Sequence, residues 1–136
     1  SLIATADIMK VSDEELPLLT GETEPEAAAD VLADQGVRII AVTLGKDGAY
    51  VRVGKDGRYV PGFSVNAVDT TGAGDAFFGG FLSRFLASGK ALKEVSLDDG
   101  ADFARFGNAT ASLCVERRGG IPAMPKLADM LARFSE

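Results

Sequence analysis

Histidine is absent from the 136 residues, and Cys114 is the single cysteine. The first absence removes the side chain that most often ligates transition metals and shuttles protons near neutral pH. The second excludes an intramolecular disulfide. Cys114 follows Leu113 in an apolar helical stretch, where a free cysteine packs as a small hydrophobe, so it is given no catalytic role. No apolar run approaches the length that crosses a bilayer. Clusters of basic residues are missing too: 14 Lys and Arg are scattered among 20 Asp and Glu, for a net charge of −6. That balance argues against nonspecific binding to nucleic acid or to anionic membranes. The opening Ser1-Leu2-Ile3-Ala4-Thr5-Ala6 has neither an initiator Met nor a basic stretch ahead of a long apolar core, so no signal peptide is visible. The expectation is a cytoplasmic protein with no nucleic-acid or membrane partner.

What is present reads as alternating strands and helices. Ile8-Met9-Lys10-Val11 is a short strand that feeds a capping pattern, Ser12 with Glu15 three residues on, and predicts a helix from Asp13 that Gly21 ends. Thr23, Pro25 and Glu26 restart a helix through about Asp34, and Gly36 closes it. Residues 37–44 are mostly apolar, rich in β-branched side chains and flanked by glycine, as a buried parallel strand is. Ala49 to Val53 and Arg58 to Pro61 flank a polar Gly54-Lys55-Asp56-Gly57 loop and predict a hairpin. From Asp75 to about Ala87, Phe78, Phe81, Leu82, Phe85 and Leu86 recur at helical spacing, while Gly79 and Gly80 permit close backbone approach. Ser96 with Asp99 resembles an N-cap pair ahead of a long amphipathic helix through Phe103, Phe106, Thr110 and Leu113, and Lys126 to Phe134 makes a last helix. The order predicts an α/β fold with an antiparallel piece added by the hairpin. The length suits one domain with a sizeable core, and no internal repeat or low-complexity segment interrupts it.

The segment most suited to chemistry is Asp69-Thr70-Thr71-Gly72-Ala73-Gly74-Asp75, running into the helix through Ala76-Phe77-Phe78. Gly72, Ala73 and Gly74 leave backbone N–H groups uncovered, and a helix starting there adds about half a positive charge at its end, so an anion should bind. Asp75 sets a carboxylate beside that anion, placed to accept a proton from a hydroxyl attacking a phosphoryl group. A glycine turn with an acidic residue in the first helical turn is also common for purely structural reasons. Two familiar phosphate loops are excluded. Gly45-Lys46 continues into Asp47 and Gly54-Lys55 into Asp56, where a Walker A loop needs Ser or Thr. Gly72-Ala73-Gly74 has Phe77 where the dinucleotide pattern needs its third glycine.

These residues resemble the C-terminal signature of the PfkB carbohydrate kinases, a family that includes ribokinase and fructokinase. Ser12-Asp13-Glu14-Glu15 with Leu19-Thr20-Gly21, Thr43 through Gly48, and Phe106-Gly107-Asn108-Ala109 through Arg118-Gly119-Gly120 fall in the family's order. The wording is nearest its fructokinase-like branch. The resemblance implies a ribokinase-like fold, with residues 1–136 as the nucleotide-binding and catalytic C-terminal half of a three-layer α/β/α sandwich with a mainly parallel sheet. The family's N-terminal half, with most sugar contacts and the small β lid, has no counterpart here.

The resemblance also implies roles residue by residue. Gly72, Ala73 and Gly74 would form the anion hole, and Asp75 would be the catalytic base. Glu15 would help arrange Mg²⁺ and phosphate through water; the family's Asn is replaced by Ser12, which puts that position's contribution in doubt. Ser12 and Glu15 are equally explained as a capping box. Thr43, Gly45 and Lys46 would border the nucleotide at the carboxyl end of a strand, where open α/β sheets bind ligands, and Asn108 would lie on the adenine side. Asp69 and the backbone near Thr71, with carbonyls of the Arg117 to Gly120 loop, would hold a monovalent cation, K⁺. The implied cofactors are therefore ATP, Mg²⁺ and K⁺, and the implied partner is a sugar, with a homodimer expected of the full-length protein. Three readings stay open: phosphorylation of fructose or a related sugar, a family kinase acting on a nucleoside, riboside or phosphosugar, and a noncatalytic nucleotide-binding module if these 136 residues are the natural product.

Overall fold

The computed structural model describes residues 7–65, 72–116 and 126–135. In chain order the elements are β1 (Ile8–Ser12), α1 (Leu16–Thr20), α2 (Pro25–Asp34), β2 (Ile39–Thr43), β3 (Ala49–Val53), β4 (Asp56–Val60), α3 (Ala73–Ser88), α4 (Leu97–Val115) and α5 (Leu127–Phe134). The sheet order is β1-β2-β3-β4. β1 pairs with β2 in parallel, in a register that sets Ser12 beside Thr43, whereas β2–β3 and β3–β4 are antiparallel. The sheet is thus mixed among the described residues, and the parallel character expected of it is confined to the β1–β2 ladder.

Helices cover both faces, which makes the three layers. Because side chains alternate along a strand, Ile39 and Ala41 face one side of β2 and Ile40 and Val42 the other. The first pair joins Val51, Val53, Phe77, Phe81 and Phe103 in a core beneath α3 and α4. The second pair joins Val11, Leu16, Ala28, Leu32 and Tyr50 beneath α1 and α2. Phe81 and Phe103 meet edge to face with ring centres 5.7 Å apart, and burying each such side chain stabilises the fold by about 1.5–3 kcal/mol. Gly80 and Gly107 lie where α3 crosses α4. A Cβ on Gly107 would come 2.7 Å from the Phe77 carbonyl oxygen, and a Cβ on Gly80 would collide with the Thr110 side chain. Of the expected close-approach pair, Gly80 makes this contact.

Several predicted boundaries move for identifiable reasons. The helix expected from Asp13 begins as a 3₁₀ turn, Asp13–Glu15, before α1, with Gly21 closing it at φ 76°. Glu24, rather than Thr23, is the N-cap of α2, with Pro25 in the first helical position. The hairpin loop is shorter than predicted. Val53 pairs with Asp56, so Gly54 and Lys55 alone form the turn, Gly54 at φ 60°, and β4 takes in Asp56 and Gly57. Gly57 pairs with Arg52 in the ladder, and the Tyr50 ring lies where a side chain at Gly57 would be. The helix expected from Asp75 starts earlier, at Ala73, with Gly72 as N-cap at φ 80°. The Ser96–Asp99 cap forms as predicted: Asp99 N–H donates to Ser96 Oγ at 3.1 Å and Ser96 N–H to Asp99 Oδ2 at 3.0 Å.

Candidate active site

The carboxyl ends of the parallel pair β1 and β2 set the site, as in other open α/β sheets. Thr43 ends β2, its hydroxyl donating to the Val11 carbonyl at 3.4 Å, and the chain turns through Gly45–Asp47. Gly48 sits so close to Val60, Pro61 and Gly62 that any side chain there would overlap their backbone. That contact brings the segment after β4 against the turn after β2. Between them and the start of α3 lies an open crevice of about 440 Å³, lined among others by Thr43, Gly45, Lys46, Phe63, Gly74 and Asn108. Its size is that of a small-molecule or cofactor site.

The crevice brings together most of the residues singled out in the sequence. Thr43, Gly45, Lys46 and Asn108 line it, as do Ala73 and Gly74 from the glycine turn at the start of α3. Gly72 caps α3 in the left-handed conformation that favours glycine, with no side-chain cap bond. The first N–H groups of this helix therefore have no intrahelical acceptor and sit at its positive end. Asp75 follows in the first turn with an exposed side chain. Asp69, Thr71 and the Arg117 to Gly120 loop lie outside the described residues, so the expected cation site does too.

Asn108 is buried in the middle of α4, where its Nδ2 donates to the carbonyls of Val60 at 3.2 Å and Pro61 at 3.1 Å. Its amide thus ties the helix to the end of β4 and shapes the crevice wall. Arg105 lies over the Phe63 ring, 4.9 Å from its centre, which holds the same segment from the other side.

Glu15 lies at the carboxyl end of β1. Its Oε1 accepts from Ser12 N–H at 2.9 Å and from Ser12 Oγ at 3.0 Å. The backbone hydrogen bond from Ser12 is the main reason its pKa lies below the ordinary value of 4.5, with the Ser12 hydroxyl and Lys10 acting in the same direction. The capping box is therefore real, and both hydrogen bonds end on one carboxylate oxygen. The other carboxylate oxygen suits a water-mediated contact with a divalent cation. Among the described residues no cluster of three or more His, Cys, Asp or Glu could hold a metal by itself.

Two groups of lining residues escaped the sequence reading. Ala111, Ser112 and Val115 line the crevice with Asn108, at the i+3, i+4 and i+7 positions that share a helix face, so extending the helical spacing from Asn108 would have found them. Gly62 to Val65 is irregular and carries no periodic signal. Lys10 was read only as part of a strand; its Nζ would lie 3.1 Å from a Cβ on Gly74.

The profile of the pfkB family carbohydrate kinases matches residues 1–127. A probable fructokinase-5 of Arabidopsis thaliana is 39% identical over 127 residues, covering 91% of this chain and 38% of that protein. A ribokinase of Haemophilus influenzae is 34% identical over 135 residues, covering 96% of this chain and 41% of its own length. The crystal structure of fructokinase from Vibrio cholerae O395 in its fructose-, ADP- and calcium-bound form superposes with a TM-score of 0.86 at 33% identity, over 98% of this chain and 42% of that one. The chain thus spans about two fifths of the length of these relatives.

Proposed function

Because this chain belongs to the pfkB family of carbohydrate kinases, we propose that it supplies the nucleotide-binding and catalytic half of an enzyme that transfers the γ-phosphoryl group of ATP to a sugar hydroxyl, fructose or a related sugar foremost. One observation carries this reading: the Gly72-Ala73-Gly74 turn and Asp75 start a helix that opens onto the crevice lined by Thr43, Gly45, Lys46 and Asn108. Polyphosphate would run along the crevice towards the anion loop, with the base on the side of Asn108 and Phe63. The N–H groups at the start of α3 would hold the transferring group, and Asp75 would accept the proton of the attacking hydroxyl. The new bond joins the sugar oxygen to the γ-phosphorus, the bond from that phosphorus to the β-phosphate bridging oxygen breaks, and ADP leaves. Glu15 would orient a hydrated Mg²⁺, which when bound neutralises phosphate charge. Asp69 and Thr71 are proposed for K⁺ on the family resemblance alone.

The similarity to aminoimidazole riboside kinase from Salmonella enterica, in complex with aminoimidazole riboside and an ATP analogue, supports a second reading within the same chemistry, a riboside as acceptor; its TM-score is 0.82 at 32% identity. The test is ATP consumption by the intact native protein with Mg²⁺ and K⁺ across fructose, ribose, other ketoses and nucleosides. Sugar-dependent turnover is expected. Asp75→Asn keeps the shape but removes the base, so kcat should fall by about 10²–10⁴-fold. Turnover by the variant near that of the wild type would eliminate the role given to Asp75, and nucleotide binding without turnover on any acceptor would favour a noncatalytic module.

A further inference from the structure

We propose that Arg133 sets the base selectivity of the crevice: by holding the Ser112 hydroxyl from behind, it leaves the α4 lining with hydrogen-bond acceptors alone, so that a 6-amino purine is taken in preference to a 6-oxo purine. The proposal rests on the kinase reading above and names a positioning residue that does not itself line the crevice.

Two polar side chains of α4 line the crevice one turn apart, Asn108 and Ser112, and both are buried. Each has its protons committed elsewhere. Asn108 Nδ2 donates to the carbonyls of Val60 and Pro61, which leaves its amide oxygen, an acceptor, as the remaining polar atom. Ser112 Oγ donates to the Ala109 carbonyl at 2.7 Å and accepts from Arg133 Nη1 at 2.8 Å. A serine hydroxyl carries one proton and two lone pairs, and it rotates to suit its surroundings. A guanidinium can only donate, so its presence turns a lone pair towards α5 and keeps the proton on the helix backbone. The exocyclic amine of adenine finds acceptors at such a wall. The 6-oxo group of guanine or hypoxanthine meets lone pairs of its own kind, an unpaired contact that a buried site rejects.

Arg133 is an unexpected residue for this place. Its side chain is only 14% exposed, and burying a guanidinium is costly unless its donors are occupied. Nη2 donates to Glu116 at 2.7 Å and meets part of that demand. Were docking of α5 on α4 the whole task, an apolar side chain of similar length would serve without burying charge. The neighbouring residue points the same way. The Arg105 guanidinium carbon lies 5.2 Å from the centre of the Phe134 ring and 4.9 Å from that of Phe63, and Phe63 is on the lining. Two consecutive residues of α5 thus act on two separate points of the crevice, Ser112 directly and Phe63 through Arg105, although α5 itself contributes no lining residue.

The test is calorimetric binding of ADP and of inosine diphosphate, each with Mg²⁺, to the intact native protein, to Arg133→Met, to Arg133→Lys and to Arg133→Met combined with Ser112→Ala. The wild type should prefer ADP by about tenfold or more. Arg133→Met frees the Ser112 proton to meet a 6-oxo group and should lose about fivefold or more of that preference. Arg133→Lys should recover part of it, and removing the hydroxyl in the double variant should restore most of it. Glu116→Gln breaks the ion pair but keeps the bond to Ser112, so it should lower the thermal midpoint and leave the preference within about twofold of the wild type. Arg133→Leu, with thermal midpoints for every variant, guards against misfolding of the Met variant. A preference unchanged in a folded Met or Leu variant overturns the proposal, as does a double variant as unselective as Arg133→Met. A Glu116→Gln variant that loses as much preference overturns it too, because the docking of α5 would then explain the effect. So does a wild type that binds both diphosphates alike. A wild type that binds neither sinks the kinase reading as well, so the two failures are told apart.

Discussion

Glu15 and Asp99 do the same structural task at two helix starts, each taking a backbone N–H three residues earlier. The pKa of Glu15 is lowered chiefly by the backbone bond from Ser12. That of Asp99 is lowered first by the hydrogen bond from Lys90 and then by the backbone of Ser96. A carboxylate whose pKa is lowered by folding stabilises the protein fully above its unfolded value, here about 4.5 and 3.8, and loses that contribution as pH falls through the folded value. Denaturant midpoints should therefore be flat from pH 7 to about 5 and fall below about pH 4.5, with a shallower fall in Glu15→Gln; a variant as acid-sensitive as the wild type would remove Glu15 from this account. These caps were legible because Ser-x-x-Glu and Ser-x-x-Asp carry their geometry in their spacing. The approach of Lys10 to Gly74 was not, because it depends on which strand lies beside Lys10 and which helix starts opposite, and neither is written in the residues around it.

At the scale of elements, the crossing of α3 and α4 holds the glycine turn that starts α3. Gly107 meets the Phe77 carbonyl of α3 so closely that an added methyl would come within 2.7 Å of that oxygen, and backbone cannot turn aside as a side chain can. Gly107→Ala should therefore cost about 1–3 kcal/mol of stability, seen as a lower urea midpoint with an unchanged slope. A neutral effect would mean that the two helices separate freely. Helical spacing made both helices readable, and Gly80 was foreseen as a contact. The hairpin was misjudged by two residues, since Asp56-Gly57 has turn composition while both residues pair across the ladder, Asp56 with Val53 and Gly57 with Arg52. Likewise the antiparallel pairing of β2 with β3 follows from their short connection, and the parallel partner of β2 is reached across two helices. The full strand order was beyond the reach of local pattern.

For the molecule as a whole, the crevice gathers Thr43, Gly45, Lys46, Ala73, Gly74 and Asn108 from points far apart in the sequence. A ligand that spans those elements should stabilise the native state. With Mg²⁺ and ATP at 100 times the dissociation constant the gain is about 2.7 kcal/mol, measurable as a rise in thermal midpoint of the intact native protein. No rise at saturating nucleotide would contradict binding in the crevice. The glycine turn that starts α3 was legible from its glycines, whereas the wall formed by Gly62 to Val65 was not, because irregular chain is placed by its contacts, here Gly48 and Arg105.

Ser112 on that wall accepts a hydrogen bond from Arg133 Nη1 at 2.8 Å, while Arg133 Nη2 donates to Glu116 at 2.7 Å. The last helix, α5, is thereby bolted to the back of α4, although none of its own residues faces the crevice. The consequence is mechanical: slack introduced at residue 133, by a protease that cuts after arginine or by a fusion that unwinds α5, reaches the lining at Ser112 directly through the Arg133 guanidinium. A site whose chemistry is gathered at one end of the chain's strands is thus braced by a helix that never meets its contents.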